Sequence, residues 1–424
     1  MKFIGDFHIH SKYSRATSPS TDLENLDKWA KIKGVDVLGT GDFTHPIWLK
    51  ELKEKLEPAE PGLFCVRGAS ALGGKPQNGN SSTRFLLTSE ISCIYKKTGK
   101  VRKVHILIFA PSFEAVDKIN EKLNQIGNLK SDGRPILGLD AKELLKIVLE
   151  ADENCLVIPA HAWTPWFSVF GSKSGFDSLE ECFDECTKYI YAIETGLSSD
   201  PAMNWRLSQL DKITLISNSD CHSPQKIGRE ANVFDTDLSY YSIAEAIKLK
   251  DKKKFLYTIE FFPEEGKYHY DGHRLCDISL TPAQSKKYNN ICPKCKKPLT
   301  IGVLNRVDEL ADRPDGFTLD TIPFKSLIPL EEVIADAVGV GTASKKVFGY
   351  YNNLTRNLGS EFNILLQASR EELTKYSLSD IAEGIIKVRN GQVNINPGYD
   401  GVYGKIEIFS EKQGRKSSKQ EVLL

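Results

Sequence analysis

The chain lacks a net charge: 56 lysines and arginines balance 56 aspartates and glutamates over 424 residues. A uniformly basic or acidic surface is excluded, so affinity for a polyanion would have to come from a local excess. No apolar run approaches the ~18 residues of a membrane-spanning helix. The first residues enter a strand without the basic and apolar segments of a secretory leader, so a cytoplasmic protein is expected. No repeat of the solenoid kind is present. The nine cysteines are odd in number. Cys65, Cys93, Cys155 and Cys182 stand alone in apolar segments and are expected as reduced, buried thiols. What remains is an ordinary globular composition, 40% hydrophobic and 26% charged, long enough for two or three domains.

Histidine is scarce, and its placement is the informative feature. Six of the eight histidines fall where a predicted strand runs out, each beside an acid or another histidine. The segments are Asp6-Phe7-His8-Ile9-His10, Gly41-Asp42-Phe43-Thr44-His45, Val104-His105, Pro159-Ala160-His161 and Ser219-Asp220-Cys221-His222. Residues two apart on a strand face the same way, so His8 and His10 can reach one ion. Asp42, Glu90, Glu194 and Asp220 are the candidate carboxylates. Imidazole with bridging carboxylate suits two or three divalent ions of the zinc, manganese, magnesium or iron kind. For Glu194 the alternative is a carboxylate that orients a ligand.

Up to about residue 223 the pattern alternates strand and helix. Strands are predicted over 2–8, 35–39, 155–160, 189–194 and 213–217, and helices over 22–33, 113–125, 141–151 and 201–210. Strands this apolar read as buried on both faces of a parallel sheet, and chemistry at their ends argues for a (β/α) barrel. The barrel is expected to close near residue 263. Residues 68–83 read as a polar loop.

Residues 264–310 form a second module. Seven lysines and arginines stand against two aspartates between 266 and 300. His273-x2-Cys276 is followed by Cys292-Pro-Lys-Cys295, the spacing of two zinc knuckles. Three thiolates and one imidazole make a closed, structural zinc site, with His269 the alternative fourth ligand. Residues 311–424 are expected to be mostly helical, with short strands near the end and a flexible tail. Within them Gly339-Val340-Gly341 separates two helices, the second opening with Lys345 and Lys346. Turn amides and a following helix N-terminus of this kind can receive a phosphate.

Taken in order, Asp6–His10, Asp42, Glu90, His105, His161 and Asp220–His222 resemble the motifs of the polymerase and histidinol phosphatase (PHP) superfamily. That resemblance implies an α/β fold: a distorted (β/α)7 barrel of phosphoesterases, usually with three metals. It places His8, His10, Glu90 and Asp220 around one ion, and these four would be catalytic. Glu90 would bridge to a second ion held by His105 and His161, and His222 would belong to a third. Phe43 stands where the motif usually has histidine, and Ser14-Arg15-Ala16 lacks the usual acid or histidine. His45 is the candidate substitute, and Arg15 a candidate phosphate contact.

The barrel, the basic zinc module and a helical tail ending near Pro397-Gly398-Tyr399-Asp400-Gly401 together resemble the endonuclease Q family. That implies a DNA-repair enzyme cutting 5′ of a deaminated base (uracil, hypoxanthine, xanthine) or an abasic site. The aromatic loop after His161, with Trp163, Trp166 and Phe167, is a candidate platform for a flipped base. Residues 420–424, Gln-Glu-Val-Leu-Leu, are similar to a sliding-clamp peptide without its aromatic pair, which makes a clamp an alternative partner and a plain tail the simpler reading. The competing functions are a phosphoesterase acting on a small phosphate ester and a non-catalytic DNA-binding scaffold.

Overall fold

The computed structural model describes residues 1–68 and 82–409. Residues 69–81 of the predicted polar loop and the clamp-like 420–424 lie outside the described residues.

The chain opens with β1 (Lys2–Asp6), α1 (Leu23–Lys33), β2 (Val37–Gly39), α2 (Pro46–Lys55), β3 (Leu56–Pro58) and β4 (Phe64–Val66). It continues with β5 (Arg84–Lys97), β6 (Lys100–Ala110), α3 (Phe113–Asn124), β7 (Ile136–Leu137), α4 (Ala141–Ala151) and β8 (Leu156–Pro159). Next come α5 (Leu179–Phe183), β9 (Ala192–Glu194), α6 (Pro201–Asn204), β10 (Thr214–Ile216), β11 (Ala231–Asp235), α7 (Tyr240–Leu249) and β12 (Phe255–Glu260). The remainder holds β13 (Asp271–His273), β14 (Ile278–Leu280), α8 (Pro282–Lys287), α9 (Val303–Leu310) and β15 (Phe324–Ser326). Helices α10 (Leu330–Val338), α11 (Lys345–Leu358), α12 (Glu361–Leu366), α13 (Arg370–Tyr376) and α14 (Ser379–Arg389) precede β16 (Asn394–Asn396) and β17 (Lys405–Glu407).

Helix ends follow local chemistry. The Asp22 carboxylate accepts from the Asn25 amide to start α1, and Gly34, at φ +86°, ends it. Asp140 caps α4 in the same way, as short polar N-caps do. The helix predicted over 201–210 breaks after Asn204. Its amide turns back onto Ser199 and Asp200, Leu207 is extended, and a separate short turn follows at Ser208–Leu210.

The main sheet is mixed rather than parallel. Its path is β15-β12-β11-β1-β2-β5-β4-β3, with β6 joined to β5 and β8 and β7 to β5. Parallel pairing holds for β1 with β2 and β2 with β5. Antiparallel pairing holds for β1 with β11, β11 with β12, β5 with β6, and β6 with β8. The β5–β6 ribbon brings in the largest departure, because two long strands joined by a Thr98-Gly99 turn replace a strand–helix unit. β9 and β10 pair in parallel. Apolar side chains fill both faces of the sheet, with Phe7, Phe109, Ile158 and Phe234 on one and Leu38, Phe43, Ile91 and Ile106 on the other.

After the cysteine-bearing segment the chain returns to the sheet. β15 pairs with β12, Thr258 opposite Phe324, before the helical region begins. The basic module is docked by α9, where Arg306 donates to the Phe170 and Phe176 carbonyls. No helix among the described residues is long and apolar enough to cross a membrane.

Candidate metal centre

The structure gathers two donor groups that share one carboxylate. Ligand atoms of His8, His10, Glu90 and Asp220 lie within 4.8 Å of one another, as do those of Glu90, His105 and His161. His8 and His10 follow β1, and Asp220 follows β10, with Ile9 bridged to Cys221 between them. Glu90 and His105 are not at strand ends. They sit mid-strand on the β5–β6 ribbon, where Glu90 opposes Leu107 and Ser92 opposes His105. Diagonal neighbours of this kind share a face, and His105 Nδ1 reaches Glu90 Oε1 at 2.7 Å. β8, paired to β6, delivers His161 two residues beyond its end, with Nε2 3.0 Å from the same oxygen.

The backbone is strained where several of the site's side chains emerge. Asp42, His161 and Asp220 all have positive φ, at +50°, +28° and +44°, a conformation that costs energy and clusters at functional sites. At Gly196, itself at φ +63°, a Cβ would lie 2.6 Å from the His161 Cβ. Only glycine lets the segment after β9 approach His161 so closely.

Other polar residues orient the donors. His8 Nδ1 lies 3.0 Å from both oxygens of Glu194. Glu194 also accepts from the His161 amide at 2.8 Å and from Asn218 Nδ2 at 2.9 Å. His10 Nδ1 lies 3.0 Å from Asp42 Oδ1, while Asp42 Oδ2 accepts from the Ser11 amide and from the Ser11 and Ser14 hydroxyls at 2.7–2.8 Å. Both carboxylates thus stand outside the two donor groups, behind the histidines.

The free ring nitrogens identify what the site is built for. His8 Nε2, His10 Nε2 and Asp220 Oδ1 are buried with no hydrogen bond of good geometry, and they crowd one another, His10 Nε2 lying 3.0 Å from Asp220 Oδ1. Burial disfavours imidazolium, yet Glu194 and Asp220 hold His8, and Asp42 holds His10, well above the ordinary histidine range. The acidic cluster therefore draws protons onto His8 and His10, whereas burial lowers His105 to about 4, and divalent cations would satisfy the same demand. Buried donors of imidazole and carboxylate type in two groups, each orienter bonded to the far ring nitrogen, fit metal ions well.

The expected third group does not assemble like the other two. His222 lies beside the first, its ring 4.6 Å from that of His10 and its Nδ1 2.9 Å from the Asp220 carbonyl. His45 instead stands at the N-cap position of α2 without a side-chain capping bond and stacks on Tyr13 at 4.5 Å. Phe43 is wholly buried in the core. Arg15 is exposed, its Nε 3.7 Å from Asp132 Oδ2. Two contributors carried no signal in the sequence. Asn218 ties Glu194 to the Phe7 amide. Arg134 places Nη1 3.0 Å from Glu90 Oε2.

The second constellation forms around His273, Cys276, Cys292 and Cys295, whose ligand atoms also lie within 4.8 Å of one another. Burial opposes a thiolate at Cys292, but the backbone N–H groups of Cys295 and Lys294 favour it and bring the thiol down to about 6. That donor set fits a closed zinc site. His269 stands apart, buried and stacked on Tyr270 at 5.3 Å.

PfuEndoQ, a lesion-specific endonuclease from Pyrococcus furiosus, matches this structure with a TM-score of 0.84 at 34% identity, over 97% of this chain and 96% of that one. The chain belongs to the endonuclease Q family. An endonuclease Q bound to a 27-mer duplex substrate with an abasic lesion at the active site matches at a TM-score of 0.82 and 34% identity, over 97% and 98% of the two chains. The Bacillus subtilis protein YqxK is 30% identical over 419 residues, 96% of this chain and 99% of its own length. MJ0043 of Methanocaldococcus jannaschii is 34% identical over 260 residues, which are 59% of this chain and 32% of that longer protein. Residues 329–392 match the family described as the MJ0043 C-terminal domain.

In this endonuclease Q family chain the three aromatics after His161 separate. Trp163 is buried, donates to Asn204 Oδ1 at 2.8 Å and packs on Phe170. It is packed into the core, with 1% exposure. Phe167 is half-buried at φ +62°, its ring 4.8 Å from that of His105. Trp166 is 52% exposed, with Lys103 Nζ 5.4 Å from its ring. Lys345 and Lys346 are exposed at the start of α11, where Ser344 caps the helix by accepting from the Val347 amide.

Proposed function

We propose that the chain is a metal-dependent DNA-repair endonuclease that hydrolyses the phosphodiester bond 5′ of a deaminated base or an abasic site. The observation that carries this reading is the match, along both chains, to an endonuclease Q holding a duplex with an abasic lesion. It is supported by the two donor groups joined at Glu90. We further read the sheet as the distorted (β/α)7 barrel of the PHP superfamily, and the cysteine module as a zinc-bearing DNA grip.

His8, His10, Glu90 and Asp220 would hold one divalent ion, and Glu90, His105 and His161 a second. Such ions, held by a shared carboxylate, would supply water activation near neutral pH and charge stabilisation for an in-line displacement at phosphorus. The protein's own part is positioning. Glu194 and Asp42 fix the rings of His8 and His10 so that each presents Nε2, and Thr164 Oγ1 lies 3.2 Å from His161 Nδ1. Trp166 and Phe167, beside His105, would receive the displaced lesion. Lys345 and Lys346 would contact phosphates away from the cut.

The test uses end-labelled duplexes bearing one uracil, hypoxanthine, abasic site or normal base, incubated with divalent metal. A nick 5′ of the lesion that disappears in Asp220→Asn is the expected result. Release of phosphate from a small ester without nicking would replace this reading with a small-molecule phosphoesterase. Tight DNA binding with neither activity would replace it with a scaffold.

A further inference from the structure

One cation stands against the acidic cluster. Arg134 Nη1 lies 3.0 Å from Oε2 of Glu90, the carboxylate common to both donor groups. Among the described residues, no other lysine or arginine makes an ion pair with Glu90 or Asp220. The Arg134 side chain keeps 26% exposure and that of Glu90 none. The guanidinium therefore lies on the solvent side of the carboxylate, where a substrate must enter.

Its backbone is fixed from several directions. Asp132 Oδ1 accepts from the Arg15 and Arg134 amides at 3.2 and 3.1 Å. The Gly133 amide donates to the Tyr13 carbonyl at 3.0 Å, and the Ser92 amide donates to the Pro135 carbonyl at 3.0 Å. A side chain at position 133 would collide with Asp42 and Ser14, the residues behind His10. Arg134 is thus tied at once to the loop that orients His10 and to the strand that carries Glu90. Guanidinium presents five donors in a planar fork that matches two phosphoryl oxygens, and the bond to Glu90 occupies part of that fork. With Glu90 engaged as a metal ligand, its attraction for Arg134 would weaken and the fork would be available to an incoming anion.

We infer that Arg134 contacts a non-bridging oxygen of the scissile phosphate and stabilises the charge that develops there during hydrolysis. This rests on the nuclease reading above. A donor aimed at developing charge contributes about 10²–10³-fold to the rate.

The experiment compares wild type, Arg134→Ala and Arg134→Lys on an abasic duplex carrying either a phosphate or a neutral methylphosphonate at the scissile position. Single-turnover nicking, equilibrium binding by fluorescence anisotropy, and bound metal are measured for each. Arg134→Ala is expected to nick about 10²–10³-fold more slowly with unchanged metal content, and Arg134→Lys to recover part of the loss. The methylphosphonate is expected to weaken binding to wild type and to have a clearly smaller effect on Arg134→Ala. Loss of metal in Arg134→Ala, with nicking restored by added metal, would reduce Arg134 to a charge balancer and overturn the inference. So would an equal methylphosphonate effect in both proteins. A wild type that nicks and an Arg134→Ala that nicks equally well removes this inference alone. A wild type that does not nick lesion DNA removes the parent reading, and this one with it.

Discussion

Glu194 grips His8 from behind: His8 Nδ1 lies 3.0 Å from both carboxylate oxygens, and neither side chain is exposed. The same carboxylate accepts from the His161 amide, so one residue sets a ligand in each of the two donor groups. Partners that orient metal-binding imidazoles in this way change affinity by roughly 10–100-fold when removed. Glu194→Gln is therefore expected to bind divalent ions roughly 10–100-fold more weakly, with lesion nicking recovered at high metal concentration. Metal titration against a chelator checks this. An affinity equal to wild type would show that Glu194 does not position the ligands.

Glu260 gives a pH dependence. It is wholly buried, and burial pushes its carboxyl up to about 8 even though Thr258, Thr195 and Ser217 donate hydrogen bonds to it. Asp200 adds to the upward shift. The folded value lies above the unfolded one, so the folded state holds the proton longer. Its contribution to stability is complete below the unfolded value of 4.5 and is lost as pH rises towards about 8. Glu260→Gln, which cannot ionise, should flatten the fall in urea midpoint between pH 5 and pH 8. A mutant slope identical to that of wild type would contradict this account.

His8 and His10 were legible because a strand repeats every two residues. Asp42 and Glu194 were legible as carboxylates near the site, but their role depends on which hydrogen-bond donors surround them, and spacing says nothing of that. The mid-strand position of His105 was missed because an apolar run does not announce its partner. The β5–β6 ribbon reads like the buried strands of a parallel sheet until its antiparallel pairing is seen. Arg134 sits in the turn Asp132-Gly133-Arg134-Pro135, where no periodicity exists to mark a direction. The knuckle cysteines were plain because ligand spacing is itself the structure there.

The helical C-terminal region is joined to the sheet by a buried ion pair. Lys33, at the end of α1, reaches Glu361 of α12 at 2.6 Å, with side-chain exposure of 6% on both. Glu361 also accepts from the Tyr351 hydroxyl at 2.6 Å and the Leu330 amide at 3.0 Å. Removing one partner leaves an uncompensated buried charge, at a cost of about 3–5 kcal/mol. Lys33→Met should destabilise by that amount in denaturant unfolding, and Lys33→Met with Glu361→Gln by clearly less. Additive losses would show that the two side chains do not act as a pair.

Trp163 and Trp166 lie three residues apart and are expected to fail in opposite ways. Trp163 is fully packed and its indole N–H is bonded to Asn204, so Trp163→Ala opens a cavity and leaves the Asn204 oxygen unpaired. A stability loss of about 3–5 kcal/mol is expected. Trp166 is half in solvent, with Lys103 over its face, so its removal opens no such cavity. Trp166→Ala should unfold at the same urea concentration as wild type yet bind a uracil duplex more weakly by roughly 1–3 kcal/mol, the value of one base stacked on an aromatic ring. The ratio of lesion to undamaged binding is the deciding measurement. A Trp166→Ala protein that loses both equally uses the indole to hold duplex in general, and one that loses neither has its lesion platform elsewhere.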